Sequence, residues 1–269
     1  MLYLLPNIIS MKTTGLLIIL ILSGMIFQKD SNEKITTSVY DWEKIEVVKT
    51  KSGERRQFLK GKTSVLDYLE IHVTTLNPGK APHGSHIHAD GEELIIVKEG
   101  LIEQSINGVK KVVGPGSVIL ALPGDDHGIW NVGDTKASYF IIKWKTDEKP
   151  NVERAKLSGG SKFYDWKDIE FQTTKKGGKR QFMRRTTALL EELEMHVTTL
   201  DEGVMSHGEH VHDSEEIILV IKGEVEESID GTPHRVGPGS LLLLTDKVSH
   251  GIKNVGKGQC EYFAFKWTK

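Results

Sequence analysis

His86-Ile87-His88-Ala89-Asp90-Gly91-Glu92-Glu93 combines imidazoles and carboxylates within one short stretch, and a shorter version of it returns as His210-Val211-His212-Asp213-Ser214-Glu215-Glu216. A further histidine follows each stretch, His127 in the first copy and His250 in the second. The first copy is longer by one residue, so the two copies match at a slightly changed offset. This repetition predicts a duplicated metal-binding domain.

The repeat extends over most of the chain. Tyr40-Asp41-Trp42 returns as Tyr164-Asp165-Trp166, and ten of the eleven histidines fall into matched pairs, with His234 the exception. The pairs are His72 and His196, His83 and His207, His86 and His210, His88 and His212, and His127 and His250. Histidines scattered over a surface would not pair in this way.

Composition narrows the class of partner and of metal site. The net charge is −2, which gives no electrostatic reason to expect nucleic acid or acidic membranes as partners. The expected partner is a small-molecule substrate. Cys260 is the single cysteine, which excludes an intramolecular disulfide and a cysteine-based zinc cluster. A homo-oligomer is left open.

The N-terminus has the pattern of an export signal. Lys12 precedes an apolar run over 15–27, and small residues lie near the end of that run. We therefore expect a signal peptide over 1–27, with Met11 as a candidate start, and a periplasmic or secreted protein without a membrane attachment after cleavage. The alternative is an uncleaved membrane anchor, although the apolar run falls short of the ~20 residues that usually span a bilayer.

Beyond this segment the chain alternates short apolar stretches with turn signals. Asn107-Gly108 and Asp230-Gly231 are typical of tight β-hairpins. Many short strands at this spacing predict an all-β fold with two antiparallel domains. The expected divisions are a flexible lead-in at 28–38, an N-terminal domain at 39–146, a linker at 147–162 and a C-terminal domain at 163–269.

The histidine pairs suit one metal ion in each copy. Residues i and i+2 of a strand point to the same face, so both imidazoles can reach one ion. The expected ligands are three histidines and one glutamate in each copy: His86, His88, Glu93 and His127, then His210, His212, Glu216 and His250. Such a set favours a divalent transition metal, Mn, Fe, Ni, Co, Cu or Zn, over Ca or Mg. The alternative is a buried, hydrogen-bonded polar cluster that has lost its metal.

These residues resemble the two sequence motifs of the cupin superfamily, and the duplication resembles a bicupin. The first motif is matched by the His-x-His pair, the glutamate and a following glycine, Gly100 or Gly223; the second is matched by Gly116, His127 and Asn131 and again by Gly239, His250 and Asn254. The resemblance covers about 40–145 and 163–268. It implies two tandem cupin barrels, also described as double-stranded β-helix or jelly-roll folds, and two metal sites.

Glu227 and Gln104 are candidate catalytic residues. Each lies on a strand between apolar residues of the same face, where a polar side chain is costly unless it serves a cavity. Glu227 is a candidate general base near the second metal, and Gln104 is its non-ionising counterpart. The alternative is a local bulge that turns both side chains to solvent.

Four other histidines are open to two interpretations. His83 and His207 are candidate acid–base groups or partners of the ligands at the mouth of each site, or else surface histidines. His72 and His196 each follow a glutamate two residues earlier, and we expect this pair to form a structural contact between the two domains.

Three functions compete. Resemblance to bicupin enzymes implies oxygen-dependent chemistry of the dioxygenase or oxidase type. The second hypothesis is non-redox metal catalysis by a lyase, isomerase, decarboxylase or aminohydrolase, in which the ion acts as a Lewis acid. The third is a ligand-binding or storage protein, and the complete ligand sets argue against it.

Overall fold

The computed structural model describes residues 33–245 and 247–269, and this part of the chain is almost entirely β-structure. The strands of the first half are β1 (Ser38–Tyr40), β2 (Val48–Lys49), β3 (Gly53–Gly61), β4 (Tyr68–Leu76), β5 (Glu92–Glu99), β6 (Ile102–Ile106), β7 (Val109–Val113), β8 (Val118–Ala121), β9 (His127–Asn131) and β10 (Ala137–Lys145). Those of the second half are β11 (Lys162–Tyr164), β12 (Gln172–Thr174), β13 (Gly177–Arg185), β14 (Glu192–Leu200), β15 (Glu215–Lys222), β16 (Val225–Ile229), β17 (Thr232–Val236), β18 (Leu241–Leu244), β19 (His250–Asn254) and β20 (Cys260–Thr268). The predicted all-β class is confirmed.

Helices are short and few in the described ranges. Helix α1 (Val152–Leu157) lies within the segment predicted as a linker, and one 3-10 turn, Trp42–Lys44 or Trp166–Asp168, follows the first strand of each repeat. In the predicted lead-in, Ile35 is buried and its N–H donates to the carbonyl of Lys62 at 2.6 Å.

The two predicted hairpin turns are present. Asn107 and Gly108 have φ of 48° and 80°, and Asp230 and Gly231 have φ of 47° and 75°. Positive φ at both central residues is the geometry of a type I′ turn, whose twist matches that of the flanking strands. These turns join β6 to β7 and β16 to β17.

Each domain is a jelly roll of one large and one small antiparallel sheet. In the N-terminal domain a seven-stranded sheet, β11-β8-β5-β10-β4-β3-β2, faces a three-stranded sheet, β7-β6-β9. In the C-terminal domain the corresponding sheets are β1-β18-β15-β20-β14-β13-β12 and β17-β16-β19. The tandem cupin-type fold predicted from the motifs is therefore confirmed.

The two domains exchange their first strands. Strand β1 belongs by sequence to the first repeat but pairs with β18, with Tyr40 opposite Leu241. Strand β11 does the reverse and pairs with β8, with Tyr164 opposite Val118. The exchange ties each domain to the edge of the other domain's large sheet.

Both faces of each large sheet carry buried apolar residues. Residues on the outer faces of the two sheets form one shared core, which includes Leu69, Ile71, Phe140, Met195, Phe263 and Phe265. Each inner face packs against its own small sheet in a separate core. Because strands alternate, this arrangement places every second residue of β4 and β14 between the domains and the others inside a domain.

Candidate metal centres

The four predicted ligands of the N-terminal domain converge. Nitrogen or oxygen atoms of His86, His88, Glu93 and His127 all lie within 4.8 Å of one another. The Nε2 atoms of His86 and His88 are 3.0 Å apart, and Glu93 Oε2 is 3.2 Å from His88 Nε2. His86 and His88 do not lie in a regular strand as expected; they belong to an extended segment that bridges β9 at His127.

The C-terminal cluster has the same composition with a slightly wider spacing. His210, His212 and His250 have ligand atoms within 4.8 Å of one another. Glu216 adjoins two of them, since its Oε2 lies 3.0 Å from His212 Nε2 and 3.4 Å from His250 Nε2. Here too the His-x-His segment is extended rather than a regular strand, and it bridges β19 at His250.

Backbone carbonyls fix the orientation of the last histidine of each set. Nδ1 of His127 lies 3.1 Å from the carbonyl of Asp125, and Nδ1 of His250 lies 3.0 Å from that of Val248. A proton on Nδ1 leaves the lone pair on Nε2, which points to the other ligands. Both Nε2 atoms are buried and have no hydrogen-bond partner within the described residues.

The charge state of the ligands suits a cation. Burial opposes ionisation of Glu93, but the hydrogen bond to His88 and the charge of Lys143 hold its pKa at about 2. Burial likewise opposes ionisation of Glu216, yet its hydrogen bond to His212 and its close contact with His250 hold its pKa at about 2. Burial and the charge of His127 lower the pKa of His86 to about 4, so this imidazole is neutral at pH 7.

These donor sets fit a divalent transition metal. In the N-terminal domain three imidazole nitrogens and one carboxylate oxygen lie within 4.8 Å of one another, and in the C-terminal domain three imidazole nitrogens do so while Glu216 contacts two of them. One buried histidine Nε2 in each cluster has no hydrogen-bond partner among the described residues. Oriented imidazoles with a backbone carbonyl behind them are typical of metal-ligating histidines.

The C-terminal centre opens into a cavity of about 230 Å³ between the two sheets. Its polar lining comes from β14, β16 and β20 as well as from the ligands. The lining side chains outside the ligand set are Glu194, His196, Thr198, Ser206, His207, Ile218, Glu227, Ile252, Tyr262, Ala264 and Lys266. The cavity is therefore large enough for a small metabolite beside the metal.

Glu227 and Gln104 both point inward. Glu227 is 1% exposed and lines the C-terminal cavity, and Gln104 is fully buried at the equivalent position of β6. The alternative of a bulge that turns them to solvent is wrong, because β16 and β6 pair regularly on both sides. Burial raises the pKa of Glu227 to about 8, with the charge of Glu216 adding to the rise and that of His250 opposing it.

His83 and His207 are exposed beside the first ligand of each set. Their ring centroids are 4.4 Å from His86 and 4.2 Å from His210 respectively. Nδ1 of each ring lies near the carbonyl of the next glycine, at 2.8 and 3.1 Å. Their role as acid–base groups remains a prediction.

The prediction that His72 and His196 form a structural contact between the two domains is wrong. The face of β4 and β14 that packs between the domains carries Leu69, Ile71 and their counterparts. His72 and His196 point to the opposite side, into their own domains, and His196 lines the C-terminal cavity. Alternation indicated correctly which residues share a face but not that this face is the inner one.

A lysine that was not singled out from the sequence adjoins each metal glutamate. Lys143 lies opposite Glu93 in the sheet, and its Nζ is 3.0 Å from Glu93 Oε2. Lys266 lies opposite Glu216 and lines the cavity, but it makes no ion pair with any residue in the described ranges. In the sequence, the only sign of these lysines is that Lys143 and Lys266 occupy equivalent positions of the two repeats.

Comparison with known families agrees with this geometry. The family model described as a cupin domain matches residues 72–143 and 196–266, more than half of the chain. The protein belongs to the cupin domain family. The cupin matches contain ligands of both centres, and no curated protein matches the chain.

Solved structures with the same arrangement confirm the bicupin fold. Protein Ylba from E. coli has a TM-score of 0.65 at 13% identity, covering 86% of this chain and 90% of its own. AerE from Microcystis aeruginosa has a TM-score of 0.63 at 16% identity, and the match covers 84% of this chain and 97% of AerE. A single-residue variant of oxalate decarboxylase from Bacillus subtilis has a TM-score of 0.63 at 14% identity, and the match covers 89% of this chain and 79% of the decarboxylase. At these identities the likeness shows the fold alone.

The predicted signal peptide at 1–27 lies outside the described residues. Within residues 33–245 and 247–269, the helices are all too short to span a bilayer.

Proposed function

We propose that this bicupin is a metal-dependent enzyme that acts on a small carboxylate by non-redox chemistry, with the C-terminal cavity as its active site. The observation that carries the proposal is Glu227, a buried carboxyl group that shares a cavity with four candidate metal ligands. Such a group can hold a proton near neutral pH and transfer it to or from a substrate. Decarboxylation, elimination, isomerisation and deamination all need a transfer of this kind.

Differences between the two repeats favour the C-terminal site. Gln104 stands where the C-terminal domain has Glu227, and an amide cannot exchange a proton with a substrate at neutral pH. The N-terminal centre therefore binds metal without its own proton-transfer group at this position. We assign it a supporting role in the fold.

Lys266 supports the class of substrate. Its side chain lines the cavity without an ion pair among the described residues, whereas Lys143 is paired with Glu93 in the other domain. An ammonium group close to the metal position attracts an anionic group on the substrate. A bound divalent ion would polarise a carboxylate or carbonyl oxygen as a Lewis acid.

Oxygen-dependent chemistry is the competing function implied by the cupin resemblance. A dioxygenase or oxidase does not require a protonated carboxyl group in its cavity, so Glu227 favours the non-redox alternative. Oxalate decarboxylases are among the structural neighbours, and their name gives a decarboxylation of a small carboxylate.

The test is turnover of small carboxylates, oxalate and 2-oxo acids among them, by Mn(II)- and Zn(II)-loaded protein under air and under argon. We expect product to form equally in both atmospheres. Glu227→Gln should lower kcat by about 10²- to 10⁴-fold, the usual contribution of a general acid or base. Glu226→Gln is the matched control, because Glu226 lies on the other face of β16 near Arg235. Turnover that stops under argon would contradict the proposal.

A further inference from the structure

His196 and its counterpart His72 sit at the same place in the two large sheets but meet different neighbours. In the C-terminal sheet His196 lies opposite Ala264 on β20. In the N-terminal sheet His72 lies opposite Ile141 on β10. All four residues point to the inner side of their domains. The second repeat has the smaller Ala264 where the first has Ile141, so there is more space beside His196 than beside His72.

The smaller side chain at position 264 opens the C-terminal cavity toward β14. Ile141 is 5% exposed and packs into the inner core of the N-terminal domain. Ala264 presents only a methyl group at that point, and the cavity that holds the C-terminal ligands reaches past it to His196 and Glu194. His196 is 20% exposed at its side chain, against 8% for His72.

Glu194 and Gln181 hold the imidazole of His196 in a defined state. Nδ1 of His196 is 2.9 Å from Glu194 Oε1 and 3.2 Å from Oε2. Gln181 Nε2 donates to the same carboxylate at 2.8 Å. A carboxylate at Nδ1 keeps the proton on that nitrogen and leaves a basic lone pair on Nε2. Nε2 of His196 makes no hydrogen bond to any described residue.

The equivalent carboxylate of the N-terminal domain is engaged elsewhere. Glu70 Oε1 accepts a hydrogen bond of 2.7 Å from Arg55, and Glu70 Oε2 accepts one from Tyr68. His72 Nδ1 is 3.4 Å from Glu70 and makes no hydrogen bond with the described residues. In the second repeat Lys179 and Glu192 stand in place of Arg55 and Tyr68. The carboxylate of Glu194 is therefore available to pair with His196.

We propose that His196, oriented by Glu194, is a second proton-transfer residue of the C-terminal active site. It lies on the large sheet, whereas Glu227 lies on the small sheet, so the two groups reach a bound substrate from opposite walls of the cavity. His196 Nε2 takes a proton from the substrate, whose bonding electron pair stays on the substrate, and Glu194 stabilises the resulting imidazolium. Return of the proton to the product completes the cycle without any oxidant. The inference rests on the proposed function.

Acylation by diethyl pyrocarbonate tests the state of His196 without reference to turnover. The reagent acylates an accessible, unprotonated imidazole nitrogen, and peptide mass spectrometry reports each site in the Mn(II)-loaded full chain. We expect His196 to be labelled and His72 to be protected. Glu194→Gln should slow labelling of His196 several-fold, because an amide can donate a hydrogen bond to Nδ1, which moves the ring proton to Nε2, the nitrogen that the reagent would attack.

Substitutions at the residues opposite the two histidines test whether the small side chain of Ala264 is what makes His196 accessible. Ala264→Ile should protect His196, and Ile141→Ala should expose His72 to the reagent. Metal content and circular dichroism verify that each variant is folded. Labelling of His196 that persists in Ala264→Ile, or that is indifferent to Glu194→Gln, would overturn the inference.

Turnover then tests the chemical role. We expect His196→Asn to lower kcat by about 100-fold with little change in KM, within the usual range for a general base. His72→Asn is the matched control and should retain activity. Undiminished kcat in His196→Asn overturns the role of His196 while leaving the proposed function intact. Absence of any carboxylate turnover in the wild type defeats the proposed function, and the labelling experiments still decide whether His196 is accessible in the cavity with its unprotonated nitrogen exposed.

Discussion

Glu92 directly precedes the metal ligand Glu93 on β5, yet its carboxylate belongs to the interface: Glu92 Oε2 accepts a hydrogen bond of 2.7 Å from the Thr187 hydroxyl of the other domain. Glu92 Oε1 also accepts from the N–H groups of Ala188 and Leu189, at 2.6 and 3.2 Å. The second repeat mirrors this contact, since Glu215 Oε2 accepts from Thr63 at 2.6 Å. In each Glu-Glu pair one carboxylate contacts the histidines of the candidate metal centre, and the other accepts hydrogen bonds from the opposite domain.

Loss of the Glu92 carboxylate should destabilise the protein strongly. Glu92→Ala leaves a buried hydroxyl and two buried N–H groups without their acceptor, and each such group costs about 1–3 kcal/mol. We expect the free energy of unfolding to fall by about 3 kcal/mol or more, measured by urea denaturation. Glu103→Ala is the control, because Glu103 pairs with Lys110 at the surface and such pairs contribute about 1 kcal/mol or less. Equal losses in the two variants would contradict this role of Glu92.

The exchanged N-terminal segment packs on a glycine of the other domain. Gly239 has φ of 91°, and a Cβ there would lie 2.6 Å from Cδ2 of Trp42. Gly231 has φ of 75° with no atom within 4 Å of a Cβ. Gly231→Ala should therefore cost about 1 kcal/mol from backbone strain alone, whereas Gly239→Ala should cost about 2 kcal/mol more from the clash.

Thermal unfolding of both variants, monitored by circular dichroism, checks this difference. A lower Tm for Gly239→Ala than for Gly231→Ala is the expected order. The same Tm for both would mean that Trp42 does not pack against Gly239.

The pH dependence of stability reports on Glu227. Its pKa in the folded, metal-free protein is about 8, above the ordinary value of 4.5, because burial disfavours the ionised form. A raised folded-state pKa means that the stabilising contribution is complete below pH 4.5 and is lost as pH rises through about 8. Glu227→Gln carries no such dependence.

We therefore expect the metal-free wild type to lose stability relative to metal-free Glu227→Gln as pH rises from 4.5 to 8, with a constant difference above that range. Urea denaturation in the presence of a chelator at a series of pH values measures this difference. Parallel pH curves for the two proteins would show that Glu227 ionises normally.

The sequence predicted the ligands because their pattern is local and repeated. The His-x-His spacing, the nearby glutamate and the later histidine needed only the repeat and the chemistry of the donors, and His86 and His210 lie in their clusters as expected. Alternation likewise identified Glu227 as a residue that shares a face with core side chains.

What the sequence did not predict depends on pairing between distant strands. The importance of Ala264 follows from its register opposite His196, 68 positions earlier in the chain. The exchange of β1 and β11 and the contact of Glu92 with Thr187 likewise join the two halves of the chain. The repeated His–Glu pair of β14 predicts a contact between the domains, but both faces of this strand are buried, and side-chain alternation does not distinguish the face at the cavity from the face at the opposite domain.

Metal stoichiometry tests the central claim of two independent centres most directly. Elemental analysis of Mn(II)-reconstituted wild-type protein should give two ions per chain. The double variant His250→Ala/Glu216→Ala should give one, retained in the N-terminal domain, and the corresponding variant His127→Ala/Glu93→Ala should also give one, retained in the C-terminal domain. Two ions in either double variant, or fewer than two in the wild type, would contradict the account.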